Sequence, residues 1–105
     1  MNVDVITQEI LEEFKLRMRL GDDEDDNLKR ILKASHDDLQ RICGDYDINT
    51  HEVFKELVFE RSRYVYNDAL EYFHMNFLTQ INNLSIAKAL ESSSSSVEGE
   101  GNETI

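Results

Sequence analysis

Apolar residues recur along this chain at helical intervals. Ile10, Leu11, Phe14 and Met18 keep i, i+3, i+4 spacing, with Ile6 one turn earlier. Thr7 is a suitable N-cap, and Glu9, Glu12 and Glu13 suit the positive end of a helix dipole. Arg17 and Arg19 suit the other end, and Gly21 can take the left-handed conformation that closes a helix. A first helix is predicted over residues 7–19. Leu28, Ile31, Leu32, Ser35, Leu39 and Ile42 then trace a second stripe, with Lys29, Arg30 and Lys33 on other faces and Gly44 as terminator. This second helix, over 24–43, is the best specified of all. Between the two lies Asp22-Asp23-Glu24-Asp25-Asp26, read as a loop and N-cap cluster feeding the second helix.

Asp45 to Asn49 reads as a short loop, with Thr50 as the next N-cap, Glu52 in the first turn and Ile48 packing back as a staple. From Val53 through Phe54, Leu57, Val58, Tyr64, Val65, Ala69, Leu70 and Tyr72 to Phe73, the pattern predicts one long third helix over 51–75. At 1.5 Å per residue it would be about 37 Å long, more than a small core needs. Phe77, Leu78, Ile81, Leu84, Ile86, Ala87 and Leu90 suggest a fourth, weaker helical segment, and Asn76, Asn82 and Asn83 favour a break or bend in it. The expected fold is therefore all-α: a small bundle of three to four helices with a long third helix. Residues 1–90 form the domain. Residues 91–105, Ser/Glu-rich, form an extended C-terminal tail that cannot bury enough apolar area to order itself without a partner.

Composition narrows the function. Eleven Lys and Arg against twenty-two Asp and Glu give a net charge of −11. That sign opposes binding to nucleic-acid phosphates or to an anionic membrane. No apolar run is long enough to span a bilayer, and the N-terminal residues have no signal-peptide pattern, so a cytoplasmic protein is expected. Cys43 is the only cysteine, which excludes an intrachain disulfide, and it reads as a small buried hydrophobe.

Candidate chemistry is sparse. Asp45, Asp47, Asn49 and Glu56 fall on positions 1, 3, 5 and 12 of a calcium-loop template, but Thr50 stands where the turn requires Gly. Glu71 and His74 form a single Glu-x-x-His, where a di-iron bundle needs two. His36 and His51 lie in separate segments without a third zinc-type ligand. No catalytic residue, cofactor or metal is expected, and the protein is not read as an enzyme. Arg61 and Asp68 follow Phe54 at seven-residue steps within the apolar stripe. They either reach to water at its edge or pair across a subunit interface, together with Tyr64 and Tyr72.

The stretches FKLRMRLGDDEDDNLKRILKASHDDLQRICG and FKELVFERSRYVYNDALEYFHMNFLTQINNLSIAKAL, and RYVYNDALEYF most specifically, resemble the small head–tail connector (adaptor, or head-completion) proteins of long-tailed bacteriophages, those of Gram-positive hosts in particular. The resemblance covers residues 7–90. It implies a structural virion protein whose subunits form a homo-oligomeric, dodecameric ring. That ring docks on the portal protein, extends the DNA channel and offers a surface to a stopper or tail-completion protein. It implies a location at the head–tail interface of the virion, reached from the host cytoplasm during assembly. It also implies a C-terminal extension that grips the portal, here carrying Leu90, Val97 and Ile105. An acidic lumen would let DNA pass without specific binding. The alternative expectation is a small acidic inhibitor or DNA mimic, acting through Asp22–Asp26 on a basic site of a host protein.

Overall fold

The computed structural model describes residues 5–99, with side chains as far as residue 92. Within them the chain is all-helical, with no strand. Helix α1 spans Gln8–Met18. Thr7 caps it as expected, its Oγ1 accepting from the Ile10 N–H at 3.2 Å. The helix closes at Arg19 rather than at Gly21. Arg19 has φ 60° and ψ 46°, the Arg19 N–H donates to the Leu16 carbonyl, and the Leu20 N–H reaches back to that of Lys15 at 2.9 Å. This pair of bonds is the Schellman closure, which satisfies carbonyls that the helix end leaves open. Gly21 lies beyond it in open space.

Helix α2 spans Asp25–Cys43 and buries Leu28, Leu32, Ser35, Leu39 and Cys43 on one face, as its periodicity predicts. It ends at Gly44, whose φ of 115° favours glycine, and where an added Cβ would come 2.5 Å from the Lys88 side chain. Helix α3 spans Glu52–Tyr66. Its N-cap is His51, not Thr50: the His51 Nδ1 accepts from the Phe54 N–H at 3.2 Å, while Thr50 sits in a turn whose N–H donates to the Asp47 carbonyl. Ile48 is buried beneath this turn.

The expected long third helix is interrupted. Asp68 adopts φ 60°. The Ala69 N–H bonds the Tyr64 carbonyl at 2.8 Å and the Asp68 N–H bonds that of Val65 at 3.1 Å, a second Schellman closure. The chain then turns through a 3₁₀ segment, Leu70–Tyr72, into α4 (Phe73–Asn76) and α5 (Leu78–Gly99). The corner is filled by aromatic rings. Tyr64 meets Phe73 and Phe77 edge-on at 5.7 and 5.8 Å, and Phe73 stacks on Phe77 at 5.1 Å. The described residues thus hold five α-helices where three to four were expected, and the longest of these is α5. Its backbone is helical past Leu90, where the composition changes, as far as Gly99.

One core joins these helices: Ile10, Leu11 and Phe14 from α1, Leu28, Leu32 and Leu39 from α2, Phe54, Leu57, Val58 and Phe59 from α3, and Phe73, Ile81 and Leu84 from the C-terminal part. Phe59 did not stand out in the sequence, yet it is buried against Phe14 with ring centres 5.5 Å apart. A clasp holds α5 to the α2–α3 loop. The Tyr46 hydroxyl donates to the Leu84 carbonyl at 2.7 Å, and the Lys88 ammonium lies 4.3 Å from the Tyr46 ring centre. Among the described residues, no helix is long and apolar enough to cross a membrane.

Candidate functional site

The residues that suggested chemistry are spread over separate structural duties. Asp45 Oδ1 accepts from Gln40 Nε2 at 3.0 Å, Asp47 Oδ1 from the Asn49 N–H at 2.9 Å, and Glu56 holds Arg17 Nη2 through both oxygens at 2.6 and 2.7 Å. The calcium-loop positions therefore do not converge. Glu71 and His74 are exposed on the corner between α3 and α5. His36 is buried, its Nδ1 3.0 Å from Asp37 Oδ1 and its ring edge-on to Phe54. The Asp37 carboxyl is held below its usual range, first by Lys33 and then by His36. His51 is a cap. Cys43 is buried with its Sγ 3.9 Å from the Ile81 carbonyl, and burial, then the charge of Asp38, pushes its thiol up. A raised thiol is a poor nucleophile at neutral pH.

One group of carboxylates does converge. Glu12, Asp22 and Asp25 place oxygens within 4.8 Å of one another. Lys15 Nζ stands among them, 2.5 Å from Asp22, 2.8 Å from Asp25 and 3.4 Å from Glu12. Lys15 is only 3% exposed, and hydrogen bonds to Asp22, then Asp25, hold its ammonium well above the ordinary lysine range. The position a bound cation would take is filled by the chain's own ammonium. Sequence reasoning missed Lys15. The signal was there: it follows Leu11 by four residues on the buried side of α1, seven residues ahead of the acidic run.

Arg61 also has partners within the chain. Its Nη1 donates to the buried Ser35 Oγ at 3.0 Å and its Nε lies 3.3 Å from Asp38 Oδ2, so it ties α3 to α2. Tyr64 is committed to the aromatic corner, where its hydroxyl accepts from Asn76 Nδ2 at 3.0 Å. Asp68 is exposed at the reversal and Tyr72 is 60% exposed beside it. Of the four expected interface residues, Arg61 and Tyr64 thus have partners within the chain, and Asp68 and Tyr72 are exposed at the reversal. Leu90 is exposed on α5; the Val97 side chain and Ile105 lie outside the described side chains.

What the C-terminal part does present is exposed apolar side chains: Tyr72 on the 3₁₀ segment, Met75 (79% exposed) on α4, and Leu78, Ile86 (56%) and Leu90 (63%) on α5. Four-residue spacing puts Leu78, Asn82, Ile86 and Leu90 along one side of α5. The charge distribution sets this stretch apart. Residues 69–90 carry only Glu71 and Lys88, one charge of each sign, in a chain of net charge −11. Exposed apolar side chains in such number suit burial against another surface, although exposed Asn82 lies among them. No family model, curated protein or solved structure matches the chain.

Proposed function

We propose that this chain is the subunit of a head–tail connector of a long-tailed phage particle. It assembles as a ring on the portal, extends the DNA channel, and receives a stopper or tail-completion protein on its far face. The observation that carries this reading is the set of exposed apolar side chains on α4 and α5, in a stretch with one charge of each sign on an otherwise acidic helical subunit, added to the resemblance of residues 7–90. These side chains suit burial against protein. The acidic remainder suits a channel wall along which DNA slides without adhering. In this reading the protein acts in the virion by contact, with no cofactor and no reaction.

The DNA-mimic reading depends on an acidic face turned outward. Asp22 and Asp25 each place one oxygen on Lys15, but Asp22, Asp23, Glu24 and Asp26 stay exposed, so this reading keeps a surface of its own and is separated by experiment. The test is electron microscopy of portal rings from a long-tailed phage of a Gram-positive host, with and without the purified protein. An added ring of density coaxial with the portal is the expected result. Portal rings left bare, together with displacement of DNA from a basic host protein, would favour the mimic.

A further inference from the structure

The reversal at Asp68 is the feature of the fold that the sequence least requires. No Gly or Pro lies between Gly44 and Gly99. Across the reversal Val65, Ala69, Phe73, Phe77, Ile81 and Leu84 follow one another at steps of three or four residues. None of the six is exposed. A helix carried straight on from α3 would hold them all on one side, about 160° wide at roughly 100° per residue. The bent chain instead keeps Asp68 in left-handed backbone and breaks the connection into a 3₁₀ turn and a four-residue helix. Left-handed backbone is unfavourable for a side-chain-bearing residue, and 3₁₀ hydrogen bonds have poorer geometry than α-helical ones. Two arrangements of this segment therefore compete. The bent one covers the core within one chain; the straight one is the more regular helix but leaves that core open.

Opening exposes a cleft with a defined fit. Phe73, Ile81 and Leu84 leave the core, the Leu84 carbonyl leaves the Tyr46 hydroxyl, and the Lys88 ammonium leaves the Tyr46 ring. A second copy carries the same side chains in the same order. Every contact broken within one chain is remade between two, so the contact energies cancel, and the hinge, charge and concentration decide the balance. The hinge favours exchange, because a short connection under strain invites it. The net charge of −11 opposes bringing two chains together, but residues 69–90 carry only Glu71 and Lys88, so the exchanged segment adds little repulsion of its own.

We infer that α3 and α5 are one helix folded back in the monomer, and that two copies straighten at Asn67–Asp68 and exchange residues 69–92 to form a symmetric swapped dimer. The straight helix over residues 52–92 is about 60 Å long. The exchange requires neither a portal nor a ring.

Gel filtration with light scattering over a concentration series separates the 12.2 kDa monomer from a species of twice that mass. Asn67→Ala and Asp68→Ala together remove the two residues that tolerate left-handed backbone and raise helix propensity through the bend. This double variant, helical by circular dichroism, should dimerise at least tenfold more tightly than the wild type. Asp68→Gly relaxes the bend and should dimerise less than the wild type. A photo-reactive side chain at Lys88, which lies against Gly44, then tells exchange from surface contact. Irradiating the isolated dimer should join two chains on a denaturing gel, whereas the monomer should be linked only within itself. A double variant that stays monomeric at every concentration overturns the inference. So does Asp68→Gly dimerising more tightly than the wild type, or a dimer whose cross-links stay within single chains. If the dimer exchanges but portal rings stay bare, the connector reading fails and the exchange stands. If portal rings are decorated but the double variant remains a monomer, the exchange fails and the connector reading stands.

Discussion

Lys15 shows how a single side chain can organise a region that its charges alone would drive apart. Glu12, Asp22 and Asp25 repel one another at their observed spacing, and only the ammonium between them makes the α1–α2 turn a favourable arrangement. Lys15→Met should therefore lower the urea midpoint at pH 7 by leaving three carboxylates facing each other. The pH dependence follows from the direction of the shift. Lys15 is raised above its ordinary 10.5, so its contribution is complete below that value and fades as pH climbs through the raised folded value. The gap between variant and wild type should close only in strongly alkaline solution. Cys43 gives a second residue-level expectation. Its raised thiol and buried Sγ predict that a disulfide reagent at pH 8 modifies it at the rate of global or local opening, and at once in denaturant.

At the scale of elements, both Schellman closures place a non-glycine residue in the left-handed region, Arg19 after α1 and Asp68 after α3. Left-handed backbone costs most residues about 1 kcal/mol or more, and Asp somewhat less. Arg19→Gly and Asp68→Gly should each stabilise the fold by up to about 1 kcal/mol, the first by more, read as a rise of several degrees in melting temperature.

These closures also mark where the sequence stops being legible. Helices α1 and α2 could be read because their apolar stripes end where polar or flexible residues begin. Beyond Tyr66 the apolar period continues through Ala69 and Leu70 to Phe73 without a Gly or Pro, so only Asn67-Asp68, residues that tolerate left-handed backbone, hint locally at the reversal. What sets it is tertiary: Tyr64, Phe73 and Phe77 pack together only if the chain turns there. The exposed apolar positions of α5 were half visible. Its apolar residues were assigned to a helix, but which side of α5 faces the core depends on Phe77, Ile81 and Leu84 meeting α2 and α3. The pattern also put Arg61 and Tyr64 on the apolar stripe of α3, but not the partners they take within the chain, Ser35 and Asp38 for Arg61 and Asn76 for Tyr64.

Across the whole molecule, the net charge of −11 is a standing destabilisation, since a compact acidic chain repels itself. The ion pairs partly offset it, but those of Lys33–Asp37 and Arg41–Asp38 lie in water and contribute little each. Added sodium chloride should therefore raise the melting temperature of the subunit, measured by circular dichroism: it screens the general repulsion more than it weakens the separate ion pairs. A fall with salt would mean that the surface pairs outweigh the repulsion.

The aromatic corner between α3 and α5 has a consequence in time as well as in space. It joins residues 64, 73 and 77, so only a short loop must close to form it, and short loops close at small entropic cost. The distant contacts of the fold, such as Phe14 on Phe59, must wait for a larger closure. The chain contains no proline, so no slow peptide-bond isomerisation masks the order of these events. Phe77→Leu, at a cost of about 1 kcal/mol, should accordingly slow refolding in stopped-flow measurements and leave unfolding nearly unchanged, whereas Phe14→Leu should do the reverse. The corner that decides which way α5 points is then also the first tertiary decision the chain makes.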